Sequence, residues 1–225
     1  SYGEVRTRSL ELAAGLQQAL ATATARGGPH GSPAALAAGA RLVIAIRLAR
    51  THEDFVPLLV AASRCGATFV LMSTDLREKE LEIARNELIV AELQPCLVLA
   101  AAGEEEVAKA LAGVDPARVA TLESLAERAR EASASPAAQA GCVSTASTPL
   151  CFMFTGGTRR GRCVVATHAM VRHERSRYPE LVRLPPPVRV LANTSAYWAA
   201  SALGQLSIAL AYGGCAVLCE ASETD

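Results

Sequence analysis

The sequence lacks a net charge, has few aromatic residues and is almost free of lysine. Its 225 residues include 22 basic and 22 acidic side chains, and aromatic residues make up 4%. Lys79 and Lys109 are the only lysines, so nearly every basic side chain is an arginine. Binding of nucleic acid or of an anionic membrane needs an excess of positive charge, so we predict neither partner. A hydrophobic content of 51% is typical of a globular protein.

Long apolar runs and paired cysteine motifs are also missing. No stretch approaches about 18 uninterrupted apolar residues, which predicts no membrane-spanning helix. The chain does not open with a basic segment followed by an apolar run, so no secretory signal is recognised. The seven cysteines are scattered and form no CxxC pair. We interpret them as free thiols of a reducing compartment and expect a cytoplasmic protein.

Apolar runs of strand length alternate with longer segments of helical character. This alternation predicts an α/β fold of layered, mostly parallel sheets with flanking helices. The strands are predicted at 42–48, 68–72, 96–101, near 119, and at 150–155, 163–167, 188–192 and 215–219. The helices are predicted at 2–25, 53–65, 76–89, 103–111, 122–132, 168–177 and 196–211.

The stretch 132–149 divides the chain into two parts. Its residues are small and polar, which is typical of a linker or mobile loop rather than of a helix or strand. We therefore predict a first α/β part over 1–131, a linker over 132–149 and a second part over 150–225.

The segment with most chemical content follows the strand at 150–155. It reads Thr155-Gly156-Gly157-Thr158-Arg159-Arg160-Gly161-Arg162 and returns into another strand. Glycines let backbone N–H groups approach an anion, threonine hydroxyls add donors, and arginine adds a charge for phosphate oxygens. A plain hairpin turn with solvated arginines is the alternative. The loop is neither a Walker loop nor a Rossmann fingerprint, because it opens a strand and contains no GxGxxG.

Three collinear segments resemble the adenylate-forming enzymes, which include acyl-CoA synthetases and the adenylation domains of nonribosomal peptide synthetases. Ser1-Tyr2-Gly3-Glu4-Val5 resembles their opening (S/T)YxEL, and 43–72 resembles their strand, helix and KAGxAYVPL segment. The loop with the Val164-Val165-Ala166-Thr167-His168 that follows resembles their phosphate loop, TSGTTGxPKGVxxTH. The stretch 190–218 resembles the next strand, helix and strand, so the likeness covers essentially the whole chain.

The resemblance implies the fold of the N-terminal part of such an enzyme and its reaction. A substrate carboxylate would attack the α-phosphorus of ATP, pyrophosphate would leave, and an acyl adenylate would form. A thiol of CoA, or of the phosphopantetheine on an acyl or peptidyl carrier domain, would then take the acyl group. Phosphate contacts would come from Thr155, Gly156, Gly157, Thr158 and Arg162, with Mg²⁺ accompanying the ATP. The family's later segments do not occur before Asp225, so we expect an incomplete AMP-binding domain that is inactive alone and contains no catalytic residue.

The loop departs from the family pattern. It is one residue shorter, and Arg162-Cys163 stands in place of Lys-Gly. Arginine neutralises a phosphate through a planar guanidinium group, whereas lysine does so as a point charge. The cysteine adds a side chain where glycine would let the backbone approach the phosphate closely. A degenerate, non-catalytic relative that binds ATP or serves as a scaffold is therefore the alternative to a ligase.

The substrate is predicted to be a small-molecule carboxylic acid rather than an α-amino acid. No Asp or Glu lies between Glu180 and Glu220, where amino-acid-activating members hold the α-amino group. A buried ammonium group without a carboxylate is costly. Tyr197, Trp198 and Ser201 are the candidate pocket residues, with core packing as the alternative.

Two other kinds of site are considered and set aside. His168 and His173 lie five residues apart near Cys163, and helical spacing turns them away from each other, so we predict no metal site. The final third of the chain is rich in arginine but has no interleaved aromatic residues, which disfavours RNA binding. A phosphate-bearing ligand accounts for part of that local charge equally well.

Overall fold

A computed structural model describes residues 1–27, 30–133, 144–155 and 161–219. Its first element, α1, is the 24-residue helix Tyr2–Ala25. The helix begins with a capping box, in which the Ser1 hydroxyl accepts a hydrogen bond from the N–H of Glu4 and the Glu4 side chain returns to Ser1. These contacts satisfy N–H groups that have no partner within the helix.

The centre of the fold is a six-stranded sheet. Its strands are β1 (Val43–Arg47), β2 (Thr68–Leu71), β3 (Leu97–Ala100), β4 (Val119–Thr121), β5 (Pro149–Phe154) and β6 (Cys163–Thr167). They lie in the order β4-β3-β1-β2-β5-β6. The first five in this order pair in parallel, and β6 pairs antiparallel with β5. The carboxyl ends of five strands therefore meet at one edge of the sheet.

Helices cover both faces of this sheet. They are α2 (Pro33–Ala37), α3 (Phe55–Arg64), α4 (Lys79–Leu93), α5 (Glu105–Lys109), α6 (Leu122–Ser133), α7 (His168–Leu181) and α8 (Leu206–Ala211). Alternate residues of β1 contribute to two apolar clusters: Ile44 and Ile46 join that of α1 and α3, whereas Val43 and Ala45 join that of α4. Because side chains alternate across a strand, an apolar run without polar interruptions is buried on both faces.

A second, two-stranded sheet follows α7. It consists of β7 (Arg189–Ala192) and β8 (Cys215–Leu218), which pair in parallel. The chain between them forms a π-helical segment at Ala200–Gln205 and continues as α8. The predicted helix 196–211 was therefore too long at its start, where the Trp198 N–H instead donates to the Ser195 carbonyl in a turn, 3.1 Å between N and O.

The structure confirms the predicted fold class, a mixed α/β fold with a mostly parallel central sheet and flanking helices. The short helix α2 and the 3-10 turn Pro116–Arg118 were not predicted. Ten residues of the proposed linker, 134–143, lie outside the described residues. The division into two parts remains a prediction. No helix in the described ranges is long and apolar enough to cross a membrane.

Gly15 lies where α1 meets α6. A Cβ atom added at Gly15 would lie 1.9 Å from the Leu125 carbonyl oxygen, a backbone atom that cannot rotate away. We expect Gly15→Ala to lower the free energy of unfolding by about 1–3 kcal/mol, because the two helices must move apart. Urea denaturation of both proteins measures the change.

Gly3→Ala is the matched control in the same helix, since its added Cβ would meet only the Ser1 hydroxyl, at 3.7 Å. This control should leave stability unchanged or slightly higher, as alanine favours a helix. Equal stability of the Gly15 and Gly3 variants would contradict the close contact between α1 and α6.

A salt bridge joins α1 to the start of α3. Arg8 donates from Nε and from its second terminal nitrogen to the two carboxylate oxygens of Asp54, each at 2.7 Å. These hydrogen bonds hold the pKa of the buried Asp54 carboxyl below its ordinary value. A carboxyl with a lowered pKa in the folded state stabilises the fold above its unfolded pKa, and this contribution is lost as the pH falls through the folded pKa.

We therefore expect Arg8→Gln to destabilise the protein at pH 7, with the difference from wild type shrinking as the pH falls below about 4. Urea denaturation at pH 7, 5, 4 and 3 measures this difference. Arg6→Gln removes an exposed charge from the same helix and is the control. A pH-independent difference for Arg8→Gln would overturn the role of Asp54.

Candidate functional site

The threonine, glycine and arginine loop lies beyond the carboxyl end of β5. The last pair of the β5–β6 hairpin is Phe154 with Cys163. Beyond it, the Thr155 N–H donates to the Arg162 carbonyl at 2.9 Å, and the Arg162 N–H donates to the Thr155 hydroxyl at 3.1 Å. These two bonds close the neck of the loop and leave both side chains at the surface.

Gly161 lies inside this neck. A Cβ atom there would lie 3.0 Å from the Thr155 carbonyl oxygen, so the closed neck favours glycine. Gly156, Gly157 and Thr158, which complete the predicted phosphate site, lie outside the described residues. The structure thus brings Thr155 and Arg162 together, and the phosphate contacts themselves remain a prediction.

The three candidate pocket residues lie in the turn after β7 and at the start of the π-helical segment. The rings of Tyr197 and Trp198 pack edge to face, with centroids 4.9 Å apart. Tyr197 is buried and belongs to the same apolar cluster as Phe152 and Phe154 of β5. Ser201 is also buried, and its N–H donates to the Trp198 carbonyl. Tyr197 therefore lies on the face of the sheet that α4 covers.

Arg85 of α4 lies against both rings of this aromatic pair. Its guanidinium carbon lies 5.0 Å from the Tyr197 ring centroid and 5.4 Å from that of Trp198. A cation at this range is attracted to the ring faces. The sequence analysis missed Arg85, because the mixed spacing of charged residues along α4 does not mark one arginine as different from the others.

A buried ionic network ties the aromatic segment to the main sheet. The Asp75 carboxylate accepts a hydrogen bond from the Ser195 hydroxyl and another from Arg50, each at 2.7 Å. Arg50 is 4% exposed and also donates to the Cys219 carbonyl beyond β8, at 3.1 Å. Asp75 thus supplies a carboxylate beside the segment 181–219, which has no acidic residue of its own. Its charge is already balanced by Arg50.

A second ionic cluster fills the carboxyl ends of β1 and β3. Sheet order reverses at these strands, which is where open α/β sheets commonly bind ligands. Buried Arg47 ends β1 and pairs there with Glu82 of α4 and with Glu104. Burial lowers the pKa of Arg47, although the charge interaction and the hydrogen bond with Glu82 act to raise it. The two carboxylates thus offset the charge of Arg47, although its Nε remains buried without a hydrogen-bond partner among the described residues.

Two thiols of the β5–β6 hairpin and the imidazole of His168 have shifted pKa values. Burial raises the pKa of the Cys151 thiol to about 12, and partial desolvation raises the pKa of the Cys163 thiol, so both stay protonated at neutral pH. Burial lowers the pKa of His168, which favours its neutral form. Within the described ranges, no group of three or more His, Cys, Asp or Glu side chains is placed to hold a metal ion.

Trp198 is the single tryptophan and reports on the position of its segment. We expect Asp75→Ala to lower the free energy of unfolding by about 1–3 kcal/mol, because it removes the carboxylate that accepts hydrogen bonds from buried Arg50 and from Ser195. The same variant should shift the fluorescence maximum of Trp198, as Ser195 loses its acceptor. Glu80→Gln, at an exposed position, is the control. An unchanged spectrum would contradict the proposed tie between Asp75 and the aromatic segment.

The sequence matches no family model. One curated protein, the hybrid PKS-NRPS synthetase prlS of Fungal sp. (strain NRRL 50135), is 29% identical over 163 residues. The match covers 72% of this chain and 4% of that protein. The chain therefore corresponds to a small part of that synthetase.

Solved structures match the described fold over nearly its full length. One comes from structural and functional studies of fatty acyl-adenylate ligases from E. coli and L. pneumophila, with a TM-score of 0.70 at 18% identity, covering 96% of this chain and 35% of that one. The inhibitor-bound N-terminal domain of FACL13 from Mycobacterium tuberculosis has a TM-score of 0.68 at 22% identity, covering 98% and 50%.

A third match is ATP-bound MatB from Rhodopseudomonas palustris, with a TM-score of 0.62 at 17% identity, covering 92% of this chain and 39% of that one. This chain thus spans half or less of each of these solved chains. These matches agree with the resemblance found in the sequence. The chain has the fold of the N-terminal domain of adenylate-forming enzymes.

Proposed function

We propose that this chain supplies the phosphate-binding part of an enzyme that activates a carboxylic acid with ATP as its acyl adenylate. The observation that carries the proposal is the closed neck between Thr155 and Arg162 at the carboxyl end of β5, in a fold shared with acyl-adenylate ligases.

The hydrogen bonds at the neck orient the groups that would hold phosphate. A hydroxyl has one proton and two acceptor lone pairs. Because the Thr155 oxygen accepts from the Arg162 N–H, its own proton stays available to donate to a phosphate oxygen. The Arg162 side chain is exposed beside it and supplies a forked positive charge. Gly156, Gly157 and Thr158 would add backbone and hydroxyl donors.

Adenylation at such a site depends on positioning and on charge neutralisation. The substrate carboxylate attacks the α-phosphorus, a P–O bond forms, and the bond to pyrophosphate breaks. Arg162 and the loop would stabilise the negative charge that develops on the departing pyrophosphate. ATP-bound MatB shares the fold, which supports ATP as the nucleotide. Mg²⁺ would arrive with the phosphates, since Mg²⁺ binds commonly through substrate phosphates and few protein carboxylates.

The candidate pocket supports a carboxylic acid substrate without an α-amino group. Arg85 places positive charge against Tyr197 and Trp198, and Asp75 beside them is neutralised by Arg50. Because Arg50 already pairs with Asp75, a substrate ammonium group would find no unpaired carboxylate at Asp75. Ser201 and the two aromatic side chains would contact the acyl group. The thiol acceptor would be CoA or a carrier domain, and the similarity to a hybrid PKS-NRPS synthetase supports the carrier.

A non-catalytic ATP-binding or scaffold role is the second candidate. It is favoured by the exposed Cys163, which stands directly after Arg162 where the family has glycine. A side chain at this position keeps the loop backbone farther from a bound phosphate than glycine would. In this case the protein would keep the fold and the ATP site but would not form an acyl adenylate.

Binding of ATP tests the proposal. A ligand at 100 times its Kd stabilises the folded state by about 2.7 kcal/mol, so saturating ATP with Mg²⁺ should raise the melting temperature of this chain. Arg162→Ala should abolish that rise, and Arg162→Lys should retain part of it. Arg183→Ala, which removes another exposed arginine, should behave as wild type.

The Arg162 variant tests the phosphate contact, and pyrophosphate exchange separates the two candidates. An ATP-dependent rise that Arg162→Ala leaves intact would rule out Arg162 as a phosphate ligand. Exchange of labelled pyrophosphate into ATP, measured in the intact parent protein with a panel of acids, should occur for a ligase. ATP binding without exchange by any acid would favour the scaffold role.

A further inference from the structure

A cleft of about 570 Å³ lies between α3, α7 and the helical stretch 200–211. Its walls are formed mainly by aliphatic and aromatic side chains, among them Leu59, Phe69, Leu150, Val171, Leu203 and Leu206. This volume lies within the range of small-molecule sites, which are largely apolar with a few polar groups that orient the ligand. The candidate residues Tyr197, Trp198 and Ser201 are not among those that line it.

Arginine side chains carry the charge at this cleft. Arg64 ends α3, while Arg172 and Arg175 lie three residues apart on α7 and thus on one face of that helix. All three are exposed, and none forms an ion pair or hydrogen bond with another described residue. Arg177, by contrast, pairs with Glu180. The cleft therefore combines an apolar interior with three uncompensated cations.

Ser144 also lines the cleft, but its hydroxyl oxygen is buried and forms no hydrogen bond with the described residues. A carboxylate or phosphate head group would therefore accept hydrogen bonds from the guanidinium groups.

The cleft and the phosphate loop lie at opposite ends of β5. Thr167, the residue before α7, pairs with Pro149 at the start of β5, whereas Thr155 follows its end. A six-residue strand separates these ends by about 17–20 Å. A ligand held by Arg172 and Arg175 would therefore not contact Thr155 or Arg162.

We propose that this cleft is a second ligand site that binds an amphipathic anion. An unbranched apolar chain lies between α3, α7 and α8, and a carboxylate or phosphate head group lies against Arg64, Arg172 and Arg175. A purely ionic ligand would bind poorly, because it gains nothing from contact with the apolar walls. A neutral or cationic amphiphile would bind more weakly than an anionic one, because the three arginines attract only negative charge. The site does not depend on the proposed adenylation reaction.

Calorimetric titration of the full chain with four probes below their micelle concentrations tests this site: dodecanoate, dodecyl phosphate, dodecanol and dodecyltrimethylammonium. We expect both anions to bind with one-to-one stoichiometry and the other two to bind at least tenfold more weakly. The stronger of the two anions identifies the head group as carboxylate or phosphate. Binding of the cation or the alcohol as tight as that of the anions would overturn the proposal.

Variants test whether anion binding depends on the cleft or only on positive charge at any surface position. Arg172→Ala with Arg175→Ala should weaken anion binding at least tenfold, and Leu203→Trp should weaken it by filling the cleft. Arg177→Ala with Arg183→Ala removes the same charge away from the cleft and should leave binding unchanged. A loss of binding in this control as large as in the first pair would refute the site.

ATP distinguishes this proposal from the adenylation function. Binding of dodecanoate should be unchanged by Arg162→Ala, and the melting-temperature rise with ATP should be unchanged in the Arg172→Ala, Arg175→Ala variant. Loss of dodecanoate binding on Arg162→Ala would place the amphiphile at the phosphate loop and overturn the second site. Failure of ATP to bind would leave the cleft result intact.

Discussion

Burial of β1 on both faces is the constraint on which the rest of the structure depends. All five of its residues are buried, and it pairs in parallel with β2 on one side and β3 on the other. A strand without a solvent face requires helices above and below it, which α3 and α4 provide. Parallel pairing then sends every carboxyl end to the same edge, and β5 joins that edge through β2.

The two buried arginines at this edge are paired with carboxylates. Arg47 and Arg50 are both nearly inaccessible, and each is held by carboxylates at the ends of neighbouring elements. Removing one member of such a pair leaves a buried charge without a partner, which is costly. The arginines that remain exposed, including Arg162 at the loop and Arg172 and Arg175 at the cleft, are the ones suited to anionic ligands.

Much of the fold could be predicted from local pattern. The uninterrupted apolar run of β1, the capped helix α1 and the threonine, glycine and arginine loop are visible as short-range signals. The start of the helix predicted at 196–211 was misplaced, because a turn at Ser195–Trp198 is held by the side chain of Asp75, which lies 120 residues away from Ser195. The candidate site was likewise only partly predictable, since Arg85 of α4 packs against Trp198, which lies in the turn after β7.

The sequence by itself determined the α/β class, the order of the strands along the chain and the position of the candidate phosphate loop. These features depend on the period of apolar residues and on the turn chemistry of neighbouring residues. Tertiary structure alone decided that Asp75 is neutralised by Arg50, that Arg47 fills the reversal point of the sheet, and that Arg64 and Arg172 share one cleft. Such pairings depend on which distant elements pack together, and the packing of elements leaves no trace in the spacing of residues along the chain.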